Sequence, residues 1–109
     1  MRKLEIYSHG ILAGLLIEED RNHYTFRYNE NYFLDESKPS ISLTMPKTQQ
    51  EYQSEFLFPF FFNMLSEGVN RKLQSRMLKI DEEDNFGLLA ATAQHDTIGA
   101  VTVKPLPTI

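Results

Sequence analysis

The sequence predicts an α+β domain: a small, curved antiparallel sheet of about five strands, with about three helices inserted between strand four and the last strand. Three observations carry this. Apolar residues alternate with polar ones, period two, through most of the first 46 residues. After Pro46 the spacing turns helical, and at residues 98–105 a β-branched, alternating run returns. A length of 109 residues fits one domain, 1–109, with one hydrophobic core.

The elements follow in order. In "KLEIYS" (3–8) Leu4 and Ile6 alternate with Lys3, Glu5 and Tyr7, as in a half-buried strand. His9-Gly10 is turn chemistry, and "ILAGLLIEE" then completes a hairpin. Gly14 inside that strand suggests a bulge or a close backbone approach. "HYTFRY" (23–28) places Tyr24, Phe26 and Tyr28 on one face. "NENYFLDESKPS" reads as a polar connection with a short extended piece at Tyr32-Phe33. "SISLTMP" (40–46) alternates Ile41, Leu43 and Met45 between Pro39 and Pro46 and is expected to be the fourth strand.

"KTQQEYQ" is then a connection, and Ser54 is a plausible N-cap for "EFLFPFFFNML". This stretch holds five of the chain's eight phenylalanines. As one helix it would be apolar all round and would need cover on every side. "SEG" (66–68) is a turn. In "GVNRKLQSRMLKI" the 69/73/77 spacing marks an amphipathic helix, and Asp81 is placed to cap a third helix through "EEDNFGLLAATA". "IGAVTVKP" is the last strand, closed by Pro105. The expected helix core is Phe56, Phe60, Leu65, Leu73, Met77, Phe86 and Leu89.

Composition narrows the function. Net charge is −4 and the cations are scattered, which disfavours a nucleic-acid surface. With no cysteine there is no disulfide framework and no thiolate site, which fits a reducing cytoplasm. The N-terminus has no apolar signal-peptide region, and no run reaches the length of a membrane span. His9, His23 and His95 lack ligand spacing, so no metal site is expected. G-x-S-x-G, P-loop and Rossmann patterns are missing, and "DNFG" (84–87) stands without the other kinase motifs. No catalytic residue and no cofactor site is expected.

Four ordered stretches resemble one family. "FFFNMLSEGVNRKLQ" is similar to the F-F-x-N-L-L-P-E-G-x-x-R signature of the N-terminal subdomain of HipA-type toxin kinases. "DNFGLLAATAQHDTIGAVTVKP" resembles its closing D-F-x-L-L…G-x-D-x-x-G-A-V-x-V-x-P segment. "EIYSHGILAGLL" fits the family's hairpin and "ISLTMPKTQ" its I-S-L-S-L-P strand. Ser66 stands where the family has proline, and Ala93 where it often has glycine.

Family members continue into a much longer kinase core. A chain of 109 residues therefore resembles the small free-standing HipS-like antitoxin of tripartite systems. What the resemblance implies is a binding protein with no enzyme activity of its own. It would dock on a HipA/HipT-like Ser/Thr kinase and neutralise it, in company with a HipB-like DNA-binding protein. The targets of such kinases are aminoacyl-tRNA synthetases. The alternatives are a fold-completing subunit or an excised kinase domain. Self-association stays open. Partner contacts are expected at Phe58, Phe61, Phe62, Asn63, Ser66, Glu67, Asn70 and Arg71, where the aromatic block and the signature turn meet.

Overall fold

Alternation in the first 28 residues builds three consecutive antiparallel strands, β1 (Arg2–Ser8), β2 (Ile11–Asp20) and β3 (His23–Tyr28). The computed structural model describes residues 1–65, 68–92 and 101–106. His9 (φ 51°) and Gly10 (φ 77°) form the tight two-residue connection between β1 and β2, as a right-twisted hairpin requires. The first helix, α1 (Glu30–Leu34), leads toward β4 (Glu51–Ser54). Then come α2 (Pro59–Phe62), α3 (Gly68–Leu78), α4 (Asn85–Thr92) and β5 (Val101–Pro105). The sheet order is β4-β3-β2-β1-β5, antiparallel at every pairing, so the last strand returns beside the first.

The register sets rows of side chains across the sheet. One row runs Leu4, Leu16, Phe26, Tyr52, and the next runs Val103, Ile6, Gly14, Tyr28. Gly14 is the gap in the second row. A Cβ there would lie 2.4 Å from the Arg27 carbonyl oxygen and 2.9 Å from the Phe26 ring. The pairing also shifts between Ile6 and Tyr7, leaving Ala13 as the extra residue of a bulge. Both features expected at Gly14 are thus present. The helices close over this face. Phe61 meets Phe26 at 5.8 Å between ring centres, Phe86 meets Tyr24 at 6.4 Å, and Tyr32 stacks on Tyr28 at 6.0 Å.

Three elements differ from expectation. Tyr32-Phe33 belongs to α1 and is not extended. Residues 40–46 form no strand: they fold as a turn, with the Met45 amide donating to the Ser42 carbonyl. Side-chain hydrogen bonds hold this turn and the residues leading into it. The Tyr28 hydroxyl donates to the Met45 carbonyl (2.5 Å) and accepts from the Ile41 amide (3.1 Å). Tyr32 donates to the Pro39 carbonyl, and Lys47 Nζ to the carbonyls of Asp35 and Lys38. Ile41 and Met45 are buried, while Leu43, at the tip of the turn, faces solvent. The fourth strand is instead the polar stretch Glu51–Ser54, which the sheet accepts because it is an edge, paired among the described residues with β3 alone.

The third difference is the aromatic block. Pro59 opens α2 as its first residue, and the residue before it, Phe58, is extended (φ −55°, ψ 137°). Residues 55–58 are therefore not helical, and Ser54 ends β4 instead of capping a long helix. Its hydroxyl does accept from the Phe56 amide (3.1 Å). The capping role given to Asp81 passes to Asp84, whose carboxylate accepts from the Gly87 amide at 3.1 Å. Of the expected helix core, Leu65, Phe86 and Leu89 are buried and Phe60 is half-buried. Phe56, Leu73 and Met77 are exposed, for reasons that lie in α2 and α3.

Candidate partner-binding site

The aromatic block splits into an inner and an outer set because its chain is extended before Pro59 and helical after it. Leu57, Phe58 and Phe61 turn inward. Phe61 is fully buried, edge-on to Phe58 (6.4 Å) and Phe60 (5.2 Å). Phe56 and Phe62 turn outward, 74% and 41% exposed. Among the three aromatics expected at a partner, Phe62 is thus the accessible one, and Phe58 and Phe61 are buried in the core.

Asn63 ends α2, its amide donating to the Pro59 carbonyl (2.9 Å), with its side chain exposed. Asn70 is exposed in the first turn of α3. Arg71 lies on the inner side of α3. Its Nε donates to the Glu82 carbonyl (2.9 Å), its Nη2 to Asn85 Oδ1, and its guanidinium sits 5.9 Å from the centre of the Phe62 ring. The structure therefore brings Phe62 and Arg71 together and ties both to the approach to α4. Ser66 and Glu67 lie outside the described residues, as do His95 and Ala93.

Beside Phe62 opens a cleft that the sequence reading missed. Tyr24, Phe56, Leu57 and Phe62 line it together with Asp81 and Glu83. Arg2 lines it as well. It reaches Asp84 with two hydrogen bonds (3.0 and 2.8 Å), donates to Glu18 at 2.7 Å and lies 5.0 Å over Phe86. The hydrogen bonds from Arg2 hold the Asp84 carboxyl below its ordinary range, against a smaller opposing effect of burial. The Arg2 guanidinium is raised in turn, chiefly by Asp84. Burial, followed by the nearby Glu18 carboxylate that its hydroxyl contacts, pushes the Tyr24 phenol up. No local sequence signal links Arg2 to Asp84, since the pair exists only once β1 and α4 are packed.

Among the described residues no three metal-ligating side chains gather. His23 pairs with Glu19 (2.8 Å) and Gln53 at the surface, and His9 faces Ser8. Among the described residues no helix is long and apolar enough to cross a membrane.

Known proteins give this geometry a family. An uncharacterized protein of Haemophilus influenzae is 31% identical over 104 residues, covering 95% of this chain and 92% of that protein. Two Sinorhizobium fredii proteins, "Putative kinase Y4mE" and "Putative kinase Y4dM", are 25% and 30% identical over 105 and 108 residues. This chain spans only 25% and 26% of their lengths. A solved structure, the N-terminal domain of HipA toxin, superposes with a TM-score of 0.74 at 27% identity, covering 100% of this chain and 96% of that one. The HipA N-terminal domain model matches residues 4–104, and the chain belongs to that family.

Proposed function

We propose that the chain is a non-catalytic binding domain that docks on a HipA-like Ser/Thr kinase and neutralises it, as the antitoxin of a tripartite toxin–antitoxin system in the bacterial cytoplasm. One observation carries the reading: the HipA N-terminal domain model matches residues 4–104, and the Haemophilus influenzae relative consists almost wholly of the same stretch, 92% of it being covered by this chain. Where such a domain stands by itself, as in the Haemophilus influenzae relative of which this chain covers 92%, it can meet the catalytic part of a kinase in trans. Phe62, with Arg71 beside it, is the aromatic anchor, and Asn63 and Asn70 supply polar contacts around it. Phe58 and Phe61, buried and edge-on to each other, belong to the core of the domain. A HipB-like DNA-binding protein joins the same complex.

A second reading has its own support. The chain corresponds to about a quarter of each Sinorhizobium protein, so it also suits a fold-completing unit that does not inhibit. The test is to purify the HipA-like kinase of the source genome, then measure its autophosphorylation with and without this chain. Suppression of activity supports the antitoxin. Unchanged activity with a higher kinase yield supports the fold-completing unit. No binding at all removes both.

A further inference from the structure

Helix α3 is mounted with its faces reversed. Successive residues turn by about 100° in an α-helix, so Arg71, Gln74 and Ser75 share one side and Val69, Leu73 and Met77 the opposite one. The first set is the half-buried side, toward the domain. Arg71 binds the approach to α4, and Ser75 Oγ donates to the Ile80 carbonyl. The apolar set points away, with Val69, Leu73 and Met77 72%, 48% and 80% exposed. No residue of α3 is buried. Helices of soluble domains normally do the opposite, and an 11-residue helix has little stability without an apolar face packed on something.

Charge says what covers it. Residues 68–80 carry Arg71, Lys72, Arg76 and Lys79 and no acid, in a chain whose net charge is −4. Lys72 and Arg76 run along one flank of the stripe, with Lys79 just past the helix end, and all three are exposed. We propose that this stripe is a docking surface for a protein partner that offers an apolar groove rimmed by carboxylates. The groove takes Val69, Leu73 and Met77, and the carboxylates pair with Lys72 and Arg76. On the reading above the partner is the kinase, and the partner's identity rests on that reading. A basic amphipathic helix also suits an anionic lipid surface. The exposed acids Asp81, Glu82 and Glu83 follow directly and would be repelled there, and the stripe carries no aromatic anchor.

The test uses the full chain and the purified kinase in calorimetric titrations, with two variants, Leu73→Glu/Met77→Glu and Lys72→Glu/Arg76→Glu. All four side chains are exposed, so circular dichroism and melting should match the parent. The apolar pair should weaken binding at least about 30-fold, the loss of a roughly 2 kcal/mol hot spot. The charge pair should weaken it and flatten its salt dependence. If the parent binds and both variants bind equally well, the α3 surface is refuted while the kinase reading stands. If the parent does not bind, the kinase reading fails and takes this partner with it. Sedimentation with phosphatidylserine vesicles, or self-association of the parent, that is lost in the apolar variant would also overturn the proposal.

Discussion

Arg2 and Asp84 are joined by two parallel hydrogen bonds of 3.0 and 2.8 Å across 82 residues of chain. The same carboxylate caps α4 through the Gly87 amide. One side chain therefore fixes both where α4 begins and how it sits on β1. Asp84→Ala should cost roughly 0.5–2 kcal/mol, the usual range for a lost cap. The pH dependence has a definite sign. The native Asp84 carboxyl is held below its ordinary 3.8, so its contribution is full above that value and disappears as pH falls through the depressed one. Urea unfolding of Asp84→Asn should show a shallower acid limb below about pH 4. An acid limb identical to the parent's would refute this role.

Phe61 and Phe62 are neighbours in sequence with opposite expectations. Phe61 is fully enclosed, and Phe61→Ala should cost about 3–5 kcal/mol. Phe62→Ala should leave the melting curve nearly unchanged and restore kinase toxicity in cells. Equal destabilisation by the two substitutions would place Phe62 in the core.

The Tyr28 hydroxyl holds two points of the 41–45 turn. Tyr28→Phe keeps the ring stacking and removes both bonds, leaving the Ile41 amide and the Met45 carbonyl without them. The expected loss is roughly 1–3 kcal/mol, read from the urea midpoint. A loss of only a few tenths would mean that proline bracketing alone holds the turn.

Gly14→Ala should be among the most damaging small substitutions in the sheet. The added carbon meets a backbone carbonyl, which cannot rotate away as a flexible side chain would. A cost of about 1–3 kcal/mol is expected, visible as a lowered Tm. Wild-type stability would show that β3 can shift without penalty.

Incubated with ATP and magnesium, the chain should hydrolyse nothing above a buffer blank. Turnover that follows the purified chain through its fractions would overturn the non-catalytic reading.

The sequence by itself determined the three N-terminal strands, their hairpin, the special place of Gly14, the returning last strand and the family. These rest on local periodicity, turn chemistry and ordered motifs, which are written residue by residue. It also marked 69/73/77 as one helix face. Only the tertiary structure decided that this face looks outward, because periodicity says that a helix has two faces and not which one the body covers. The same holds for residues 40–46 and 51–54. Alternation favoured the first as a strand, but the Tyr28 hydroxyl partners Ile41 and Met45 within it, while Tyr32 and Lys47 hold the residues just before it. The polar stretch took the edge instead, since an edge strand needs a backbone partner on one side and no apolar face. Arg2 and Asp84 meet for a reason of the same kind: contacts between distant residues are made by packing, and no local pattern records them.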